Sequence, residues 1–130
     1  MGRPTSKHPT ELELEILKIL WRDGPGGVRE VKDALEGFRK LALTSVTTIM
    51  NIMVDKKYLK RTKEDGRYVY RSRVSKASTL RRMLGDLVER AFEGSAAAAM
   101  VNLLETSDVD ASELEELRRL IEQKSMEGMS

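Results

Sequence analysis

The sequence predicts a mainly α-helical protein carrying one small β-hairpin, and three observations support that reading. Apolar residues recur along most of the chain at the i, i+3, i+4 spacing of amphipathic helices. The exception is a pair of short runs, Tyr58–Lys63 and Tyr68–Arg73, set around Asp65-Gly66. That dipeptide signals a two-residue hairpin, because a type I′ turn needs positive φ at both central positions. The charge also divides: residues 1–75 carry 16 Lys and Arg against 10 Asp and Glu, a net +6, whereas residues 76–130 carry 7 against 11, a net −4. A basic front joined to an acidic back suggests a polyanion-binding module coupled to a second module of another kind.

Taken in order, residues 1–9 have no periodicity and are expected to form a mobile basic arm. A first helix should run from Glu11 to Trp21. The stretch "ELELE" alternates like a strand, but Leu12, Ile16, Ile19 and Leu20 form a helical stripe flanked by Leu14, Leu17 and Trp21. Thr10 and Glu13 stand at capping-box spacing, which favours the helix, and "DGPGG" at residues 23–27 stops it. A second helix spans Val28 to Glu36 with Val31, Ala34 and Leu35 inward. A third covers Thr44 to Lys57, with Val46, Ile49, Met50 and Met53 as its buried face and Thr44, Thr47, Thr48, Asn51 and Asp55 opposite. Three helices followed by a hairpin describe a winged helix-turn-helix, placed at residues 1–75.

From Lys76 the pattern changes. Leu80, Met83, Leu84, Leu87, Val88, Ala91 and Phe92 mark a helix with a broad apolar face, ended by Gly94. "SAAAAMVNLLE" suits another helix beginning near Ser95. Asp110 and Glu113 open a last one of about three turns, lined by Leu114, Leu117 and Ile121, and "SMEGMS" at the end is expected to be disordered. Such short helices with wide apolar faces do not close a core alone, so residues 76–130 are read as a helical dimerisation domain completed by a second copy. Leu84, Leu87, Phe92, Met100, Leu103, Leu104, Leu114, Leu117 and Ile121 are the expected contacts.

Composition narrows the function. A chain with 40% hydrophobic and 34% charged residues has the balance of a folded soluble domain. No apolar run approaches a membrane span and no secretory leader is apparent, so a cytoplasmic protein without membrane insertion is expected. There is no Cys, which removes disulfides, thiolate metal sites and Cys nucleophiles, and the single His8 falls in the expected arm. "DGPGG" lacks a preceding strand and a following Gly-Lys-Ser/Thr, so it reads as a turn and not a phosphate loop. No nucleophile–base pair is evident, and neither an enzyme, a cofactor nor a metal is expected.

Nucleic acid is the better fit. Ser45, Thr47, Thr48 and Asn51 offer hydroxyl, methyl and amide groups near the start and middle of the third helix, the part that reaches base edges in helix-turn-helix proteins. The hairpin carries Lys60, Arg61, Lys63, Arg67, Arg71 and Arg73, suited to phosphates, with Arg67 at the tip the strongest candidate and Tyr68 beside it. Tyr70 and Trp21 are expected to pack, Trp21 between the first helix and the wing. The alternative is a winged-helix module that binds another protein without reading DNA.

The stretches "PTELELEILKILW", "VREVKDAL", "TSVTTIMNIMVDKKYLKR", "DGRYVYRSRVS", "FEGSAAAAMVNLL" and "ELEELRRLIEQK" together resemble the penicillinase repressor family, of the BlaI, MecI and CopY type, from Pro9 to Lys124. The resemblance implies a homodimeric repressor that binds a palindromic double-stranded operator through two winged-helix domains. In the antibiotic-responsive branch it also implies a sensor-linked membrane protease that cuts the dimerisation region, and the matching bond here is Asn102–Leu103. The copper-responsive branch uses a Cys-rich site, which this chain lacks. Three positions depart from the family pattern: Ile52 where Arg or Lys is usual, Lys57 where a Gly commonly closes the helix, and Leu103 where cleaved members have an aromatic residue. Ile52 suggests an altered operator or a weaker backbone contact, and Lys57 a different helix ending.

Overall fold

The computed structural model describes residues 8–128, and most of the expected N-terminal arm lies outside them. The chain forms two compact units, the first reaching Gly85 and the second beginning at Asp86.

In the first unit three helices, α1 (Glu11–Asp23), α2 (Val28–Leu35) and α3 (Leu43–Asp55), precede an antiparallel hairpin of β1 (Leu59–Glu64) and β2 (Arg67–Ser72). The opening part of α4 (Lys76–Ala91) follows. The local alternation in "ELELE" loses to the cap: Thr10 Oγ1 accepts from the Glu13 N–H at 3.2 Å, and the Glu13 carboxylate accepts from the Thr10 N–H at 2.8 Å. Two otherwise orphaned donors at the helix start are thereby satisfied. Gly24, at φ 85°, ends α1 by donating to the Leu20 carbonyl.

The core gathers Ile16, Leu17, Ile19 and Leu20 of α1, Val31 and Leu35 of α2, Val46, Met50 and Met53 of α3, and Leu59 and Tyr70 of the hairpin. Two expectations are corrected here. Leu17 is fully buried and central, not a flank of the stripe. Ala34 is exposed, because α2 is a short helix whose buried edge is covered by Val31 and Leu35 alone.

Glu13 is the buried charge that the apolar pattern concealed. Its side chain, 4% exposed, meets Lys56 Nζ at 2.9 Å, tying α1 to the end of α3. With its cap bonds the carboxylate is well partnered, which burial requires. Burial, joined by the Glu13 charge, pushes the neighbouring Tyr58 phenol above its ordinary pKa.

The α3 ending corrects another expectation. Lys57 takes φ 69°, donates to the Val54 carbonyl at 3.0 Å, and the Tyr58 N–H reaches the Met53 carbonyl at 2.9 Å. These two bonds are the Schellman arrangement that usually places Gly at the left-handed position. The helix therefore ends as a Gly-closed helix does, with Lys held in the conformation Gly would occupy.

The hairpin pairs Leu59 with Ser72 through to Glu64 with Arg67, and Asp65 and Gly66 have φ 51° and 80°. Only Leu59 and Tyr70 are buried, so its base joins the core while the distal end projects. The "DGPGG" turn does more than end α1: Gly26 exchanges backbone hydrogen bonds with Tyr70 at 3.0 and 2.8 Å, adding a bridge to the free edge of β2. Trp21 Nε1 donates to Ser72 Oγ at 3.0 Å and to the Val74 carbonyl at 2.9 Å, which fastens α1 to the end of the wing. His8 lines a small cleft with Tyr58, Val74, Thr79 and Arg82 instead of lying in a free arm.

The second unit holds the remainder of α4, α5 (Ala96–Thr106) and α6 (Ala111–Gly128). Ser95 caps α5 by accepting from the Ala98 N–H at 3.1 Å, and Asp110 accepts from the Glu113 N–H at 2.8 Å. Part of the expected disorder is corrected: Ser125 to Gly128 continue α6, which runs for 18 residues and not about three turns, while Met129 and Ser130 lie outside the described residues. Its polar face supports that length, since Arg118 bridges Glu115 and Glu122 at i−3 and i+4. Among the described residues of this unit, only Ala99 is buried.

Candidate nucleic-acid interface

The exposed side of the first unit is built by α3 and the hairpin. About 100° of rotation per residue divides the polar side of α3 in two. Thr44, Ser45, Thr48, Ile52 and Asp55 are exposed on the outward arc, whereas Thr47 and Asn51 are half-buried and turn towards the hairpin. Helical periodicity alone puts Thr47 and Asn51 with Thr44 and Thr48 on one surface. What it lacked was the position of the wing, which covers one margin of that surface.

Between α2, α3 and the hairpin lies an open cleft of about 500 Å³, lined among others by Arg29, Glu30, Thr47, Asn51, Arg61, Arg67, Tyr68 and Tyr70. Asn51 is its junction. The amide oxygen accepts from Arg61 Nη1 at 2.8 Å and from the Tyr70 hydroxyl at 2.9 Å, linking α3 to both hairpin strands. Arg61 and Tyr70 can share this acceptor because the strand register sets them directly opposite each other. Arg61 also lies over the Tyr68 ring, 4.4 Å from its centre, and Lys63 approaches the same ring at 5.9 Å. Tyr68 is thus an exposed plate that holds two cations in place.

Each candidate side chain has a definite state. Thr47 and Thr48 donate their hydroxyl protons to the Leu43 and Thr44 carbonyls at 2.8 and 3.0 Å. What they present outward is an acceptor lone pair and a methyl group. Ser45, Lys60 and Lys63 are exposed. Arg67 is exposed too, but its guanidinium is hydrogen-bonded to the Glu30 carboxylate at the start of α2. That bond, with the backbone N–H groups of Glu30 and Gly27, holds the Glu30 carboxyl below its ordinary pKa and raises that of Arg67. Arg71 pairs with Glu64 at 2.6 Å. Sequence reading missed Glu30, since residues 37 apart leave no local spacing to detect. Ile52, which stood out in the sequence as a departure from the family pattern, falls on a helical wheel between Ser45 and Thr48.

In the second unit the expected dimer contacts Leu84, at the preceding boundary, Leu87, Met100, Leu103, Leu104, Leu114, Leu117 and Ile121 are each 42–56% exposed, and Phe92 is half-buried. Asn102 and Leu103 lie inside α5, where the Asn102 amide donates to the Ala98 carbonyl at 2.9 Å. Among the described residues there is no grouping of His, Cys, Asp and Glu suited to a metal ion, and no helix long and apolar enough to cross a membrane.

The chain matches the family described as penicillinase repressor over residues 9–123. It is 30% identical over 113 residues to the transcriptional regulator BlaI of Mycobacterium tuberculosis, covering 85% of this chain and 80% of that protein. It is 20% identical over 112 residues to the methicillin resistance regulatory protein MecI of Mammaliicoccus sciuri, covering 86% of this chain and 91% of that protein. A 16.5 kDa protein of Latilactobacillus sakei is 26% identical over 111 residues, covering 83% and 76%.

Proposed function

The chain belongs to the penicillinase repressor family, and we propose on that premise that it is a homodimeric repressor occupying a palindromic operator. Its family makes it a DNA-binding transcriptional regulator and not an enzyme. The observation that carries the finer reading is the pairing of an outward Thr44, Ser45 and Thr48 surface on α3 with a projecting hairpin that bears five cations, Arg73 following directly after it. Helix groups of that kind suit base edges in the major groove, and Lys60, Arg61, Lys63 and Arg67 suit the flanking phosphates. Asn51 serves the interface by holding Arg61 and Tyr70, so that hairpin and helix meet the duplex as one surface.

Homodimerisation is supported by the second unit, whose leucines stand exposed on helices with almost no buried residue. Pairing two such units covers apolar area and carries two recognition helices to half-sites about one helical turn apart, or a multiple of it. Relief by proteolysis at Asn102–Leu103 is the regulatory part of the proposal. The bond sits within a capped helix, so a protease must first unwind part of α5, and cutting would divide the dimer surface. Losing the dimer removes the gain from engaging both half-sites together.

Selecting bound sequences from random duplexes tests the function. The expected product is an inverted repeat whose log affinity falls linearly with log salt, with a slope of about 0.9 per phosphate contact. Salt-insensitive association with another protein, and no selected sequence, would favour the winged helix as a protein-binding scaffold.

A further inference from the structure

The outward arc of α3 is short of the groups that usually read DNA through charge. Between Leu43 and Asp55 there is no Lys or Arg, and the single charge is Asp55. Thr48 has turned its hydroxyl proton onto the Thr44 carbonyl, which leaves its methyl and a lone pair outward. Beside it stands Ile52, 43% exposed, whereas Val46, Met50 and Met53 of the same helix are wholly buried. A lone exposed apolar residue is ordinary on a protein surface. Here it occupies the middle of the arc between Ser45 and Thr48, so the centre of that otherwise polar surface offers aliphatic groups.

We propose that Ile52 is a specificity-determining residue that, with the methyl of Thr48, reads the 5-methyl group of thymine in the major groove. The inference rests on the DNA-binding reading given above and deepens it. Thymine is the one base with a methyl on its major-groove edge, and apolar side chains distinguish it there. Four residues of helix separate Thr48 from Ile52, a rise of about 6 Å. That is close to two base-pair steps of about 3.4 Å, so the two side chains can meet methyls on base pairs two steps apart in one half-site. Phosphate attraction is then left to the hairpin, which has the cations α3 lacks.

The test uses the full-length protein and a duplex selected as its binding site. Each thymine is replaced in turn by deoxyuracil, which removes the methyl and keeps every pairing hydrogen bond. Wild type should lose roughly three- to fivefold in affinity for a sensitive thymine in one half-site, the value of burying about one methyl group. Ile52→Ala should bind the thymine duplex more weakly and lose its preference over uracil at that position, while Ile52→Val retains it. Ile52 lies outside the core, so Ile52→Ala should melt as wild type does. Equal uracil penalties in wild type and Ile52→Ala would overturn the proposal. So would a wild type indifferent to uracil at every thymine while still binding the duplex, a result that leaves the repressor reading standing. Failure to bind any duplex at low ionic strength would sink both.

Discussion

Lys57 holds a φ of 69°, where a side chain crowds the following carbonyl. Left-handed backbone costs an L residue about 1–2 kcal/mol, and Gly escapes that cost while losing part of the gain through its freer unfolded chain. Lys57→Gly should therefore stabilise the first unit by roughly 0.5–1 kcal/mol, read as a midpoint a few degrees higher in thermal unfolding. An unchanged or lower midpoint would mean that the Lys side chain makes compensating contacts. At Arg67 the same scale bears on binding. Its Glu30 partner has a lowered pKa, so the pair is intact at neutral pH and above the usual carboxylate range, and is lost as pH falls through the Glu30 value. Glu30→Gln imitates the acid form at neutral pH. It should release Arg67, tighten duplex binding a few-fold at low salt and leave the melting temperature little changed, as befits an exposed pair. Arg67→Ala should act oppositely, weakening all sequences and lowering the salt slope by about one. Titration of each variant by fluorescence anisotropy at several salt concentrations checks both. The arginine was legible as a cation at a turn, but its partner was not, because the contact exists only once α2 and the hairpin are folded together.

At the scale of elements, the firmest readings came from devices that act over a few residues. The Thr10 and Glu13 cap, the Asp65-Gly66 turn and the Asp110 cap all lie where local chemistry put them. Features set by packing were less legible. The margin of α3 carrying Thr47 and Asn51 looks polar and outward on a wheel, yet the hairpin folds beside it and takes the Asn51 oxygen as its anchor. Gly26 reads as a turn residue, and only the approach of β2 makes it a sheet partner. This anchoring is testable. Tyr70→Phe deletes the hydroxyl that donates to Asn51 while preserving the buried ring, so urea unfolding should report a loss of about 1 kcal/mol. Binding to selected and unrelated duplexes should weaken by similar factors, because the change loosens the wing and touches no base. A loss confined to one base position would place Tyr70 in direct readout instead.

For the molecule as a whole, the two units differ in what each buries. The first unit closes a core from α1, α2, α3 and the hairpin base, while the second leaves its leucines in water and has Ala99 as its one buried residue among those described. That contrast was visible in the sequence as a shift from mixed helices and hairpin to uninterrupted amphipathic helices; how many copies meet there is not encoded in periodicity. If a second copy covers α6, then Leu117→Asp with Ile121→Asp should yield a monomer in sedimentation velocity, with the first unit still folded by its tryptophan signal. The proposed function requires that two chains engage one inverted repeat through α3 and the hairpin. Its most direct measurement is the mass of the complex with a selected duplex, determined by sedimentation equilibrium at low ionic strength and repeated at rising salt. Two chains per duplex, dissociating steeply with salt, is the predicted result. A single chain per duplex, or free duplex at every salt concentration, would contradict it.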